Sequence, residues 1–413
     1  MNKFLIILDH ESRIPPFMIA ILLYSKDQYK NVYYINTRKP SNEALFSAYH
    51  NIDIMHPSRR CRFWCSVLAF VKLFFPRNIK QLYNYVCREG FHVFFLKSLL
   101  LTLVVESILC VQASRIIKKQ GDKYDLTVLA TWFSAAAVAS ATLKRNYKSI
   151  KAVSLAHSYE ILVSRNKNVP YLFVDYKHKY LDGVFFIAQK MRELYIEGIG
   201  GLAKEYLNKT HVFYLGTYKN SDVLNLTKEN EFHICTCSRT IPLKRLDVLI
   251  KALSSWKESI IYWTHIGDGE IFDKLKSQSE ELMRINPFVH IDFIGYLTNE
   301  QVKDYYANNS VDLFVNLSSI EGLPISIMEA ISYGIPVMAT DVGGTNEVVN
   351  STLGYLLKSD ISPQYVKDNI MMFLNLPVEQ RSEMRNNAYN YWKSHFNAED
   401  NLVTLFKYID SLN

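Results

Sequence analysis

A chain of 413 residues, 49% hydrophobic and 21% charged, with 15 Gly and 12 Pro, is too long for one ordinary core and too apolar to be disordered, collagenous or of low complexity. It reads as two globular domains of roughly 200 residues each. The net charge of +7 hides an asymmetry: residues 1–200 carry 28 Lys and Arg against 14 Asp and Glu, and the remainder carries 19 against 26. A basic front half predicts an anionic partner for that half. Among a membrane surface, a phosphorylated lipid and nucleic acid, the last is the weakest candidate, because no helix-turn-helix, zinc-finger, RNP or KH pattern occurs, and no nucleic-acid partner is expected. Six cysteines, at 61, 65, 87, 110, 235 and 237, are too sparse for a disulfide scaffold and fit a reducing compartment. Cys61 and Cys65 lack a second ligand pair at zinc spacing.

In chain order, Phe4–Leu8 opens as a short buried strand followed at once by charged residues, which is no signal peptide. Further strands are expected at Val32–Ile35, Leu126–Ala130, Lys151–Ala156 and Val184–Ile187, with helices over Leu99–Lys119 and Ser134–Arg145. Two apolar runs raise the question of a membrane. Phe63–Phe75, bracketed by Arg59, Arg60, Arg62 and Arg77, is too short to span a bilayer; it is either a core helix or an interfacial one, with rings in lipid and arginines on headgroups. Phe94–Val111 is nearly long enough, but Lys97 and Glu106 inside it favour a core helix over a spanning one.

Residues 216–230 are polar and turn-rich and read as the interdomain linker. The alternation then restarts: strands at Phe232–Cys237, Ile260–Ile266, His290–Ile294, Leu313–Asn316 and Pro336–Ala339, and helices at Arg245–Leu253, Phe272–Met283, Asn299–Asn308 and Pro324–Tyr333. Strands alternating with helices make parallel sheets, so the class is α/β with two Rossmann-like doubly wound domains. Cys235 and Cys237 alternate on one strand and read as packing. Gly198-Ile-Gly200-Gly201 follows a helix, not a strand, so it is no dinucleotide fingerprint.

Glu321-Gly-Leu-Pro-Ile-Ser-Ile-Met-Glu329 puts one carboxylate in a loop after a strand and the other in the next helix. Pro324 suits the first helical position, and Gly322 lets the backbone approach a ligand. The turn aims backbone N–H groups and a positive helix end at an anion beyond the sheet's carboxyl edge, and a diphosphate suits that place. Carboxylates beside an anion suit the hydroxyls of a ribose and a sugar; alternatively Glu321 caps the helix and Glu329 lies on a solvated face. The strand ending at Cys237 runs into Ser238-Arg239-Thr-Ile-Pro242-Leu-Lys244-Arg245, where Arg239 and Lys244 flank a turn and can converge on phosphate.

With these motifs, Ile266-Gly267-Asp268-Gly269, Phe293-Ile-Gly295-Tyr296, Gly334-Ile-Pro336 and Asp341-Val-Gly343-Gly344, the chain over residues 125–413 resembles the family four retaining glycosyltransferases of GT-B fold. Thr131-Trp132-Phe133 and Ser154-Leu-Ala-His157 look like its bacterial polysaccharide branch, which serves capsule, O-antigen and exopolysaccharide synthesis. The resemblance implies two Rossmann-like domains facing a central cleft, at 1–217 and 218–390, with 391–413 a terminal helix crossing back to the first. It implies transfer of a sugar from a UDP- or GDP-linked donor to a saccharide acceptor, lipid-linked through polyprenyl diphosphate, with retained configuration. Arg239 and Lys244 would neutralise the diphosphate, Glu329 hold the ribose, and Glu321 and His157 meet the transferred sugar. Gly322 and Leu323 would offer backbone donors, and Gly295 and Tyr296 meet the base. No cofactor or metal is expected, since no Asp-x-Asp occurs and protein cations stand at the diphosphate. The expected place is the cytoplasmic face of the plasma membrane, attached peripherally to its anionic surface. A nucleotide-sugar epimerase of the same fold, or a binding subunit without turnover, stays open. Where the family often carries a glycine-rich turn after the first strand, this chain has Asp9-His-Glu-Ser-Arg13-Ile-Pro-Pro16.

Overall fold

Runs of apolar and β-branched residues bounded by polar turns set the strands, and helices long enough for parallel crossovers connect them. The computed structural model describes residues 3–89, 93–120, 124–161, 172–219 and 232–412. They divide into two compact units, one of residues 1–215 with 402–413, the other of residues 216–401. The linker expected at 216–230 lies mostly outside the described residues.

The first unit is built on seven strands: β1 (Lys3–Asp9), β2 (Asn31–Asn36), β3 (Ile52–Met55), β4 (Asp125–Ala130), β5 (Lys151–Ala156), β6 (Gly183–Phe186) and β7 (Thr210–Val212). They form one parallel sheet in the order β3-β2-β1-β4-β5-β6-β7. β3 and β7, of four and three residues, are too short to show a period, and the sequence reading misses both. The helices are α1 (Pro16–Gln28), α2 (Arg59–Lys72), α3 (Pro76–Glu89), α4 (Val93–Gln120), α5 (Ala135–Asn146), α6 (Ser158–Ile161), α7 (Val174–Tyr180), α8 (Gln189–Gly198) and α9 (Lys204–Leu207). Gly200 and Gly201, both at positive φ, end α8, in keeping with the rejection of a dinucleotide turn there.

Among the described residues α4 is the one helix long and apolar enough to cross a membrane, yet its inner face packs into this unit. Leu99 and Leu103 meet Ala69 of α2 and Val138 of α5. Glu106, 1% exposed, receives Lys72 of α2 and Arg77 of α3, each at 3.3 Å, and the Thr142 hydroxyl of α5 at 2.6 Å. A buried carboxylate with two cations and a hydroxyl ties four helices together, and removing one partner of such a cluster costs about 3–5 kcal/mol. The cluster anchors the inner face of α4 in the core of the unit. It also corrects the reading of Arg77 as a headgroup ligand, because its guanidinium is held by Glu106 and lies over the rings of Phe173 and Tyr176.

The second unit carries β8 (Phe232–Cys237), β9 (Ile261–Ile266), β10 (Val289–Gly295), β11 (Leu313–Asn316), β12 (Val337–Thr340) and β13 (Gly354–Leu357). The parallel sheet runs β10-β9-β8-β11-β12-β13. Its helices are α10 (Leu246–Leu253), α11 (Phe272–Ile285), α12 (Asn299–Asn308), α13 (Ile325–Ser332), α14 (Pro363–Leu374) and α15 (Val378–His395). β13 is a sixth strand that the sequence hides behind Gly354. A Cβ at that glycine would stand 1.9 Å from the Val337 carbonyl oxygen, so the pairing with β12 admits only glycine. The tail is two helices, not one: α15 stops at His395, and α16 (Ala398–Ser411) follows. From Leu402 onward the chain belongs to the first unit, where Phe406 stacks on Tyr24 at 5.3 Å and Asp410 pairs with Lys3 at 2.6 Å.

Candidate functional site

The order of the second sheet reverses direction between β8 and β11, and the carboxyl ends of the strands at such a reversal are the usual ligand position in an open α/β sheet. The loops leaving those two ends carry Arg239, Lys244 and Glu321. Glycines bring the neighbouring loops close. At Gly267, φ is +140° and a Cβ would stand 1.9 Å from the Ser238 carbonyl oxygen. At Gly343, φ is +58° and a Cβ would stand 1.9 Å from the Glu321 carbonyl oxygen. Backbone bonds Thr240 N to Asp268 O (3.0 Å) and Gly344 N to Gly322 O (2.8 Å) complete the stitching.

After β8 the chain makes a short 3-10 turn at Pro242–Lys244 and places Arg245 in the left-handed region at φ 51°. That uncommon conformation is held by three carbonyls: the Arg245 guanidinium donates to Leu317 O (2.5 Å), Ser318 O (2.9 Å) and Ser359 O (2.8 Å). Arg245 thereby clamps the β8 loop to the β11 loop, and Lys244 is delivered to Glu321, Nζ to Oε1 at 2.6 Å. Glu321 is buried, and the same oxygen accepts from Asn316 Nδ2 at 3.3 Å. Arg239 differs: it is exposed, and its guanidinium makes no hydrogen bond or ion pair among the described residues. The two cations thus share a loop, but Lys244 is engaged by the carboxylate and Arg239 is not.

Pro324 caps α13 from outside, at φ −77° and ψ 97°, and does not occupy its first turn. The backbone N–H groups of Gly322, Leu323, Ile325 and Ser326 have no acceptor among the described residues, so the positive helix end is open to an anion. Glu329 is buried rather than solvated. Its Oε1 accepts from Asn299 Nδ2 at 3.1 Å, and burial raises its pKa to about 7 against the lowering effect of that bond and of Lys303. Gly295 sits at φ +79° with open space where a side chain would be, ending edge strand β10, and Tyr296 beside it is exposed. These two lie two strands away from the loop of Arg239.

In the first unit the order reverses between β1 and β4, and His157, Trp132 and Asp9 gather at that carboxyl edge. His157 is buried, with Nε2 against Thr131 O at 3.0 Å, and its ring lies between Trp132 (4.5 Å) and Phe17 (4.8 Å). A ring nitrogen facing a carbonyl carries the proton, which leaves Nδ1 as the acceptor. Burial pushes its pKa down to about 4, so the ring is neutral at physiological pH. Asp9 ends β1 fully buried and accepts from Trp132 Nε1 (3.0 Å), from the His10 and Glu11 N–H groups (2.6 and 3.1 Å) and from the Tyr34 hydroxyl. The Asp9 carboxylate thus binds the backbone of the turn that stands where the family often carries glycines.

Asp9, Arg245, Asn299 and Asn316 escape the sequence reading. Nothing in the sequence marks the left-handed backbone of Arg245; Asp9 and Asn299 meet partners far away in the chain, and Asn316, five positions before Glu321, reaches it through a loop conformation that no motif announces. Among the described residues no group of three or more His, Cys, Asp or Glu is arranged to hold a metal ion.

Residues 217–391 match the family described as glycosyl transferases group 1. An uncharacterized glycosyltransferase of Methanocaldococcus jannaschii is 24% identical over 233 residues, 56% of this chain and 61% of that protein. The O-antigen biosynthesis glycosyltransferase WbnH of Escherichia coli is 26% identical over 219 residues, 52% of this chain and 59% of that protein. The chain thus aligns with about three fifths of the length of these relatives. Among solved structures, HepE of Anabaena in complex with UDP superposes with a TM-score of 0.68 at 17% identity, covering 99% of this chain and 100% of that one. The apo lipopolysaccharide outer core galactosyltransferase WaaB gives 0.63 at 15%, covering 98% and 99%. The fold is GT-B.

Proposed function

We propose, from the match of residues 217–391 to the group 1 glycosyl transferases, that the protein is a glycosyltransferase of bacterial surface polysaccharide synthesis. It moves a sugar from a nucleotide-diphosphate donor to a saccharide acceptor. The observation that supports this reading is at the reversal of the sheet: Lys244 of the β8 loop meets Glu321 of the β11 loop at 2.6 Å, ahead of the open start of α13, and Arg239 on the same loop as Lys244 is exposed and makes no hydrogen bond or ion pair among the described residues. A diphosphate is the group such a set of cations and N–H donors suits. UDP is the favoured nucleotide, because HepE was crystallised with it.

In the reaction the bond between the anomeric carbon and the diphosphate oxygen breaks, and a bond to the acceptor hydroxyl oxygen forms on the same face. The hydroxyl proton passes to the departing diphosphate. Negative charge grows on that leaving group, so Arg239 and Lys244 act where stabilisation lowers the barrier most, and one such group is worth about a hundredfold or more in rate. These cations do the work of a divalent ion, which makes the transfer metal-independent. Glu321, held by Lys244, presents its second oxygen to the sugar hydroxyls. Glu329 holds the ribose hydroxyls, Gly322 and Leu323 donate backbone N–H groups, and Tyr296 stacks on the base beside Gly295. His157, neutral and acceptor at Nδ1, takes a hydrogen bond from a sugar hydroxyl and does not supply charge. The acceptor is lipid-linked, and the protein works at the cytoplasmic face of the plasma membrane.

Release of UDP from a panel of UDP-sugars, with and without saccharide acceptor, tests the reading. Transfer requires that release depend on acceptor. Interconversion of the sugar without acceptor would instead mark an epimerase, and binding without turnover a subunit that only binds.

A further inference from the structure

Helices that cover a globular unit usually turn a charged face to solvent; α2 does the reverse. Its inward seam is Cys65 and Ala69, small side chains that let it lie close on α4. Phe63, Trp64, Val67, Leu68, Phe70, Val71, Phe74 and Phe75, on α2 and the turn after it, are exposed. Phe63 is 63%, Trp64 58% and Phe74 66% exposed. At 100° per residue these positions fall within one arc of about 160°. Ile79 and Tyr83 of α3, and Val93, Phe94 and Leu101 of α4, add exposed apolar groups. So large an apolar face on a folded unit marks a binding surface.

We infer that the outer face of α2 is a docking surface for an anionic lipid bilayer, with its rings in the interface and the arginines of its first turn on the headgroups. Charge decides among occupants. From residue 54 to residue 88 the sequence has seven Lys and Arg and no Asp or Glu. Arg59, Arg60 and Arg62 are exposed at the start of α2, whereas Lys72 and Arg77 are consumed by Glu106. A second copy of this chain meeting the same face across a two-fold axis would set this basic segment against itself, while an anionic surface complements it. Trp and Tyr among the exposed rings suit the depth of the headgroups. The Lys72–Glu106–Arg77 cluster fixes α2 on α4, so the face is preformed and lies on the membrane rather than crossing it. The inference concerns only the first unit and stands or falls apart from the donor site proposed for the second.

The test is co-sedimentation of the full chain with phosphatidylcholine vesicles, with and without phosphatidylglycerol, at low and high salt. Binding is expected with phosphatidylglycerol at low salt and is expected to fall at high salt. Arg59→Glu/Arg60→Glu/Arg62→Glu should lower the partition coefficient about a hundredfold, each cation near such a surface being worth about fivefold. Phe63→Ser/Trp64→Ser/Phe70→Ser/Phe74→Ser should abolish binding at either salt. All seven side chains are exposed, so both variants should keep the wild-type melting temperature and the wild-type affinity for UDP. No pelleting with phosphatidylglycerol at low salt, or pelleting unchanged in both variants, overturns the inference. A dimer by light scattering that the serine variant dissolves overturns it in favour of a second copy. Pelleting that survives high salt and alkaline carbonate overturns it in favour of an integral segment.

Discussion

The two sheets end in opposite ways. At the carboxyl edge of the second, glycines at 267 and 343 draw loops together, Arg245 clamps them, and the charge at that edge belongs to Arg239, Lys244 and Glu321. At the carboxyl edge of the first, side chains fill the equivalent place: Asp9 has its oxygens satisfied by Trp132, Tyr34 and two backbone N–H groups, and a neutral His157 lies between two rings. On the proposed reading, the same doubly wound topology makes an anion site where cations and backbone N–H groups outnumber the carboxylates at the edge. Where a carboxylate takes up the donors, the edge becomes a rigid wall that offers one acceptor nitrogen.

Breaking the charged edge should have the largest effect. On the proposed reading Lys244→Ala removes a diphosphate ligand, and it leaves the buried Glu321 without its cation, so turnover should fall at least about a hundredfold and the second unit should melt at lower temperature. Steady-state rates and calorimetry check both; near wild-type rates would move the diphosphate elsewhere. Gly343→Ala should come next. The left-handed backbone costs a Cβ about 1–2 kcal/mol, and this one would strike the Glu321 carbonyl, so the melting temperature should drop by several degrees with a loss of turnover. On the other edge, Asp9→Ala leaves the Trp132 N–H and the Tyr34 hydroxyl unpaired, at about 1–3 kcal/mol each. Sugar transfer should fall while UDP affinity is unchanged, whereas a fall in UDP affinity would deny that the edges work separately.

The edges should also differ in pH response. Burial holds the folded His157 pKa near 4, below the unfolded value of about 6.5. The unfolded chain therefore binds the extra proton first, and stability is lost as pH falls from about 6.5 toward 4. Glu329 has the opposite sign. Its folded pKa of about 7 exceeds the unfolded value of about 4.3, so the native state binds more protons and the second unit loses stability as pH rises between them. If Glu329 holds the ribose as proposed, its ionised form is the better acceptor for the hydroxyls, so UDP affinity should climb modestly through pH 7. Glu329→Gln should flatten both trends; a UDP affinity that still climbs would place the ionisation on another group.

Much of this was legible in sequence because strand-loop-helix units are local. Arg239, Lys244, Glu321 and Glu329 stand out within two short segments, and the alternation around them sets a parallel sheet. What stayed hidden depends on distant contacts. Lys244 meets Glu321 77 positions later, a pairing that neither motif read alone announces. Asn299 reaches Glu329 from a separate helix. The exposed rings of α2 could not be told from core residues, because an apolar run does not say which side of a helix finds a partner; the small seam of Cys65 and Ala69 explains the outcome only once α4 lies against it.

The central claim, that the carboxyl edge at β8 and β11 of the second unit holds the donor diphosphate, is tested most directly by calorimetric titration of UDP into the wild-type protein and Arg239→Ala. Arg239 is exposed and makes no hydrogen bond or ion pair among the described residues, so its loss should leave the melting temperature unchanged. Affinity for UDP should then fall about tenfold or more, the scale of a charge-assisted hydrogen bond. Equal affinity in the two proteins, with the fold intact, would contradict the account.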